Sequence, residues 1–421
     1  MLSILGIRDK LFYGWVVVIA CLIIATVVFG ISYSFGVFLK SLGGEFGLTR
    51  GATSAVFSAY MLLYSVFGIL GGWALDRYGP RIIVLFTGLF TGLSLLLTSQ
   101  ASFPWQLFIS YGLVLAIGVG PAYIVIMSTI SRWFDKKRGL ALGIVGSGTG
   151  LGTLLVAPFA TYLISSLGWR MAYIIMGSIA WVVVIPLSRL LKKSPAEIGA
   201  LPDGAKSDSG EMGIDEPNRE GNTRATELSL PQASRTGNFW LLGAIWLLYA
   251  FCYLMLVTHL VPHATDIGIT AMEAAGILSL MGGSNVVGRL LMGRVSDSIG
   301  RKATAITCAL LVAGAMILLT RSQDLWMLYL FGVVCGFSFG GLDPAVTALI
   351  GDIFGLRSIG IIMGTLNVAW GIGAAIGPAT GGFMFDVSES YFVAFLAGAL
   401  AMLIVALLVA LTRREIKRNG R

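Results

Sequence analysis

The sequence predicts an all-α integral membrane protein, with twelve transmembrane helices in two six-helix, pseudo-symmetric bundles. Three observations predict it. The first is composition: of 421 residues, 56% are hydrophobic and only 12% charged, and the mean hydropathy is +0.86, values outside the range of soluble globular chains. The second is that the apolar residues fall into runs long enough to cross a bilayer. The third is an internal repeat. Residues 72–81 read Gly-Trp-Ala-Leu-Asp-Arg-Tyr-Gly-Pro-Arg and residues 293–302 read Gly-Arg-Val-Ser-Asp-Ser-Ile-Gly-Arg-Lys, so that Gly72, Asp76 and Gly79 map onto Gly293, Asp297 and Gly300. Phe134, Gly139, Gly143 and Pro158 recur in the same way as Phe354, Gly360, Gly364 and Pro378. Two related bundles facing one another enclose a central site that can open to either side in turn. That is a transporter architecture.

A spanning helix needs roughly 20 mostly apolar residues. In order, the runs are 14–38, 52–75, 82–99, 105–131, 139–164, 170–190, 238–262, 271–295, 303–320, 325–351, 358–384 and 390–412. The first follows Arg8 and Lys10 and exceeds a signal-peptide core, so it reads as a retained anchor. The fifth carries Gly143, Gly146, Gly148, Gly150 and Gly152 before Pro158, and the eleventh carries Gly364, Gly371, Gly373 and Gly377 before Pro378. Small residues let helices pack closely, and glycine with proline permits bending; both readings apply here. Residues 193–236 are rich in Gly, Ser, Pro, Asp, Glu and Asn and bury too little apolar surface to offset ordering. They read as a flexible linker between an N-terminal bundle at 1–192 and a C-terminal bundle with a basic tail at 237–421.

Orientation follows from lysine and arginine, which cytoplasmic flanks retain. With both termini cytoplasmic, the outer side holds only Lys40, Arg50, Arg170 and Arg321, and Arg289 lies within a helix. The net charge of +8 is therefore a topology signal and not a nucleic-acid footprint. Arg413, Arg414, Lys417, Arg418 and Arg421 are placed to rest on anionic lipid. Cys21, Cys252, Cys308 and Cys335 all fall in apolar helices, so neither structural disulfides nor a metal site is expected.

Arg289 is the most informative single residue. An arginine near a helix centre costs about 2.5–3.5 kcal/mol even on the lenient insertion scale, so it faces protein or an aqueous cavity. Its planar fork suits a carboxylate, with a structural ion pair as the competing reading. Asn285, four residues earlier, shares its helical face and is placed either to donate to a substrate or to bond a neighbouring helix. Asp343, followed by Pro344 in the tenth run, reads as a proton carrier if desolvated and as a permanent partner if paired with Arg289. Tyr123 is the repeat counterpart of Asp343; with Tyr33 it offers an apolar ring and a hydroxyl to the site, or simply packs in the core. His259 reads as an interfacial histidine, and Asn367 and Trp370 as further cavity-lining residues. At the short turns, Asp76, Arg77 and Arg81, with Asp297, Arg301 and Lys302 in the second half, form a candidate cytoplasmic gate in which charges grip helix ends across the halves. A turn that only sets topology is the alternative.

These turns resemble the signature loop of the major facilitator superfamily, Gly-x-x-x-Asp-Arg-x-Gly-Arg-Arg, with Pro80 in place of the first of its last two basic residues. Tyr13-Gly14-Trp15 at the first helix, and Arg132-Trp133-Phe134-Asp135-Lys136-Lys137-Arg138-Gly139-Leu140-Ala141-Leu142-Gly143 leading into the fifth, resemble the two signatures of the monocarboxylate transporter family and its bacterial relatives, including oxalate:formate antiporters. The resemblance spans essentially the whole chain. It implies the major facilitator fold, transport of small monocarboxylates of the lactate or pyruvate type, proton-coupled symport by alternating access, and no cofactor. Carboxylate exchange of the oxalate:formate type is the alternative it carries. It also implies carboxylate binding by an arginine in the eighth helix, the place Arg289 occupies. Two positions depart from the pattern: the acid usual four residues before that arginine is Asn285, and the lysine usual in the first helix is Tyr33. No metal cluster, nucleotide loop or nucleophile triad points to an enzyme. The expected partners are the carboxylate, protons and the lipid of an inner or plasma membrane, and one chain holding both halves is expected to work as a monomer.

Overall fold

Apolar runs in a bilayer must satisfy every backbone polar group internally, and helices do so within one segment. The computed structural model describes residues 12–135, 137–201, 203, 228–355 and 359–412; the side chains of Asp76, Arg294, Asp297 and Ile359 lie outside the described residues. Eleven continuous helices among the described residues are long and apolar enough to span. The longest, Arg138–Ser188, has 51 residues, about 76 Å at 1.5 Å per residue, well beyond the roughly 30 Å of a bilayer core. At Gly168 it takes φ 80° and ψ 162°, turns back, and crosses twice.

That gives the twelve expected helices. Helix 1 is Tyr13–Phe46, helix 2 Arg50–Leu75, helix 3 Arg77–Ser99 and helix 4 Pro104–Trp133. Helices 5 and 6 share Arg138–Ser188, and helix 7 is Gly237–Asp266. Helix 8 is Ala271–Ile299, helix 9 Arg301–Leu319, helix 10 Leu325–Phe354, helix 11 Ile359–Ser388 and helix 12 Phe392–Leu411. Helix 1 runs eight residues past its expected end at 38. After a turn at Ser34 the segment Phe35–Phe46 buries Phe35, Phe38, Leu39 and Leu42 while Lys40 and Glu45 face outward, so hydropathy falls where the helix continues.

The duplication is written into the backbone. Gly79 and Gly300, counterparts at an offset of 221 residues, both break their helices at positive φ, 76° and 96°, a conformation that glycine reaches without steric cost. The same offset relates Gly47 (φ 62°) to Gly268 (φ 92°) and Gly168 (φ 80°) to Glu389 (φ 53°). Between the halves, helix 2 packs on helix 11 and helix 5 on helix 8, two pairings that the repeat interconverts. Each needs a bare backbone: a Cβ at Gly150 would lie 2.6 Å from the Gly282 carbonyl oxygen, and one at its counterpart Gly371 would lie 2.4 Å from Ser65 Cβ.

The ends of the central segment are tied to repeat-related loops. The Asp203 carboxylate accepts from the backbone of Asp135 (2.9 Å) and Lys137 (3.3 Å), and the Leu228 amide donates to Phe354 O (3.0 Å). Phe134 and Phe354 are counterparts, so each half holds its own end of the segment by the same loop.

Candidate functional site

Helices 8 and 10 both start on the far side, opposite the side where helix 1 begins. Arg289 and Asp343 each lie 18 residues into their helices, about 27 Å deep at 1.5 Å per residue. Glycines bring these two helices together: a Cβ at Gly340 would lie 2.1 Å from the Asn285 carbonyl oxygen and 2.9 Å from the Arg289 amide nitrogen. At this separation Arg289 Nη2 reaches Asp343 Oδ2 at 2.5 Å. The carboxylate sits beside Ile245, Trp246, Tyr249 and Val346.

The pair leaves the guanidinium partly unused. Arg289 Nε is buried without a hydrogen-bond partner, although a fully paired guanidinium donates through all its nitrogens. Nη1 points at helix 5 of the other half, 2.7 Å from where a Cβ of Gly146 would be. Tyr123 comes against the same guanidinium and packs edge-on to Phe29 at 6.0 Å. Asn285 is buried one turn away, its Oδ1 directed toward Gly150. Of the residues picked out from the sequence, Arg289, Asp343 and Tyr123 therefore meet, with Asn285 adjacent.

Tyr33 stands apart from the guanidinium, as part of a roof. Its ring packs on Tyr253 of helix 7 at 6.0 Å and 83°, and Tyr64 meets Trp370 of helix 11 at 6.1 Å. Both contacts join the halves. Tyr253 stacks on Tyr249 at 6.1 Å, and both lie within electrostatic reach of the Arg289–Asp343 pair. Neither stands out in the sequence; their spacing of four on helix 7, matched by Tyr60 and Tyr64 on helix 2, is the signal that marks one aromatic face.

Beyond the roof, the far side is closed by charge. Arg50 at the start of helix 2 forms a two-pronged pair with Asp266 (Nη2 to Oδ1 2.8 Å), donates to the Tyr391 hydroxyl (2.8 Å), and lies 3.7 Å over the Phe385 ring. Asp386 accepts from the backbone amides of Arg50 and Gly51 at 2.9 and 2.8 Å, a carboxylate from one half capping a helix N-terminus of the other. Lys40 also reaches Asp266, at 2.7 Å. His259, near the far-side end of helix 7, is fully buried in this cluster, donating from Nε2 to the Pro378 carbonyl (2.8 Å) and accepting at Nδ1 from Tyr391 (3.1 Å). With that end shut, the 17% exposure of the Arg289 and Asp343 side chains and the 37% exposure of Tyr123 place the opening on the opposite, basic side.

Among the described residues of the basic-side turns, the charged side chains make their contacts within their own halves. Arg77 is exposed and lies near the rings of Trp73 and Tyr78 (5.7 and 5.6 Å), and Arg81 is exposed. Arg301 bonds Asp352 (2.5 Å) and Ala348 O (2.9 Å) in helix 10.

Two bundles related by duplication, closed at one end over a central ion pair, agree with what the sequence matches. The profile described as Major Facilitator Superfamily fits residues 21–301 and 264–421. The chain belongs to the major facilitator superfamily. Among relatives in that superfamily, it is 26% identical to monocarboxylate transporter 13 of Bos taurus, over 92% of this chain and 86% of that protein. It is 22% identical to monocarboxylate transporter 12 of Xenopus laevis, over 97% of this chain and 90% of the other. The crystal structure of a bacterial homolog to the human lysosomal transporter Spinster, inward-facing and unoccupied, superposes with a TM-score of 0.69 at 18% identity, covering 94% of this chain and 95% of that one. This facilitator fold is shared across the superfamily, so substrate rests on the site itself.

Proposed function

We propose that this facilitator carries small monocarboxylates across the cell membrane in symport with protons, with Arg289 as the carboxylate ligand and Asp343 as the proton carrier. The observation that carries the reading is the divided use of Arg289: Nη2 is held by Asp343 while Nε is buried without a partner. A second carboxylate reaching Nε satisfies that donor and, because Nε and Nη2 share one edge of the guanidinium, competes with Asp343 for the charge. An uncompensated carboxylate in a low-dielectric site favours protonation. Substrate arrival thus promotes proton uptake at Asp343, and the loaded site holds one cation and one anion, neutral overall, which eases movement of the halves around it. Tyr123 and Asn285 orient the carboxylate and its substituent, and Tyr33 with Tyr253 closes over them.

The relatives named above as monocarboxylate transporters support the substrate class. The concentration of lysine and arginine on one side supports a cytoplasmic location for that side and both termini. Asp76, Arg77, Arg81, Asp297 and Arg301 then act as the cytoplasmic gate when the far side opens, forming contacts across the halves. A single chain supplies both bundles and works as a monomer.

The test is uptake of labelled L-lactate into proteoliposomes, with and without an inward proton gradient, for wild type and Arg289→Ala. Stimulation by the gradient, lost in the variant, is the expected result. Uptake that ignores the gradient but requires internal carboxylate replaces symport with exchange. Full uptake by Arg289→Ala removes Arg289 from the site.

A further inference from the structure

Resting on the reading of Arg289 as the carboxylate ligand, we propose that Gly146 is the positioning residue that seats its guanidinium, so that the anion site is completed across the two halves. The observation is steric. Helix 5 presents bare backbone at position 146, and a Cβ built there would lie 2.7 Å from Arg289 Nη1 and 3.7 Å from Cζ, with Met127 Cε at 3.5 Å. These three nearest atoms all belong to the ends of side chains. The atom in the way is therefore the tip of a flexible side chain and not a backbone, so the fold tolerates a methyl group there while the guanidinium does not keep its place.

The seat matters because the guanidinium has two other fixed constraints. Asp343 holds Nη2 at 2.5 Å and Tyr123 closes one flank, so motion away from Gly146 costs either the pair or the approach of the substrate to Nε. Gly146 also lies where helix 5 is locally tightened toward a 3-10 turn: the Ser147 amide bonds both Gly143 O (3.0 Å) and Ile144 O (3.2 Å), and its hydroxyl returns to Ile144 O (2.6 Å). The N-terminal half thus contributes a surface to a ligand carried by the C-terminal half. Separation of helix 5 from helix 8 would release Arg289 from its seat as the halves rock.

Helix 5 supplies its own controls. A Cβ at Gly143, one turn before Gly146, meets nothing within 4 Å, whereas one at Gly150 meets the Gly282 carbonyl at 2.6 Å. Position 143 is therefore free, position 146 faces the arginine and a methionine tip, and position 150 is the interface between the halves. Alanine at positions 143 and 146 separates open space from the site, while position 150 belongs to packing between the halves.

The experiment measures concentration-dependent L-lactate transport and thermal stability for Gly146→Ala, Gly143→Ala and Arg289→Ala in the full chain. Gly146→Ala is expected to raise KM about tenfold, the cost of one good charge-assisted hydrogen bond, with maximal rate and melting temperature close to wild type. Gly143→Ala is expected to stay within about twofold on KM, since helix interiors favour alanine over glycine. Wild-type KM in Gly146→Ala, alongside loss of transport in Arg289→Ala, overturns the seat and leaves the anion site standing. A lowered melting temperature with unchanged KM also overturns it, because that is the mark of a packing glycine. Unimpaired transport by Arg289→Ala overturns the anion site and the seat together.

Discussion

Replacing Arg50 with alanine should loosen the far-side closure, and the size of the effect follows from the bonds that this side chain makes. Arg50 contributes a two-pronged bond to Asp266, a bond to Tyr391 and a stack on Phe385. The side chains of the pair are 19% and 27% exposed, so solvent screens part of the attraction, and Asp266 keeps Lys40 at 2.7 Å when Arg50 is gone. No charge is stranded, and the low end of the range for bonds to charged groups applies, about 1.5 kcal/mol. The cation over the ring adds roughly 0.5 kcal/mol. The amide bonds from Arg50 and Gly51 to Asp386 survive, because they use backbone. A loss of about 2 kcal/mol raises the population open on the far side by up to about thirtyfold. The assay is modification of Ser65→Cys by a membrane-impermeant thiol reagent applied to the far side. Ser65 is buried beneath the closure beside Gly371, and the four native cysteines are buried, which keeps the background low. Faster labelling in Arg50→Ala is expected. An unchanged or slower rate would refute the assignment of this cluster as the element holding the far side shut.

Asp343→Asn keeps a polar group of the same size but cannot exchange a proton; gradient-stimulated uptake should fall to the unstimulated level while lactate exchange at equal concentrations persists. Full stimulation in Asp343→Asn removes this residue as the proton carrier. Gly340→Ala pushes a methyl group onto the Asn285 carbonyl of helix 8, an overpacking that costs about 1–3 kcal/mol, so the variant should melt several degrees below wild type. Gly314→Ala, whose Cβ meets nothing within 4 Å, should melt at or slightly above wild type, and equal melting of the two variants would show that the close approach of helices 8 and 10 is dispensable.

Much of this site is legible in the sequence because its members are expensive in a membrane. Arg289 and Asp343 are visible as charges inside apolar runs, and the duplication points to Tyr123 as the counterpart of Asp343. Tyr249 and Tyr253 are marked only by their spacing of four, which gives a shared helix face but not its neighbours, since a tyrosine costs little in a bundle core. His259 is marked no better: its place near a helix end says nothing of the neighbours that bury it.

Sequence alone determined the helices, their number and their pairing into halves, because hydropathy is summed locally and the repeat is written residue by residue; two of the turn glycines, Gly47 and Gly79, recur at one offset as Gly268 and Gly300. It did not determine which residues meet between the halves. Arg289 facing Gly146, Tyr33 meeting Tyr253, and Arg50 gripping Asp266 join positions far apart in the chain, and each depends on how closely two helices approach and at what depth. Those distances are set by packing at bare backbone positions such as Gly150 and Gly371, where van der Waals contact and not hydrophobicity drives helices together in lipid. The tertiary structure also decided which end is closed: lysine and arginine mark the two sides, but closure depends on which charged side chains find partners across the divide, as Arg50 does with Asp266 and Asp386.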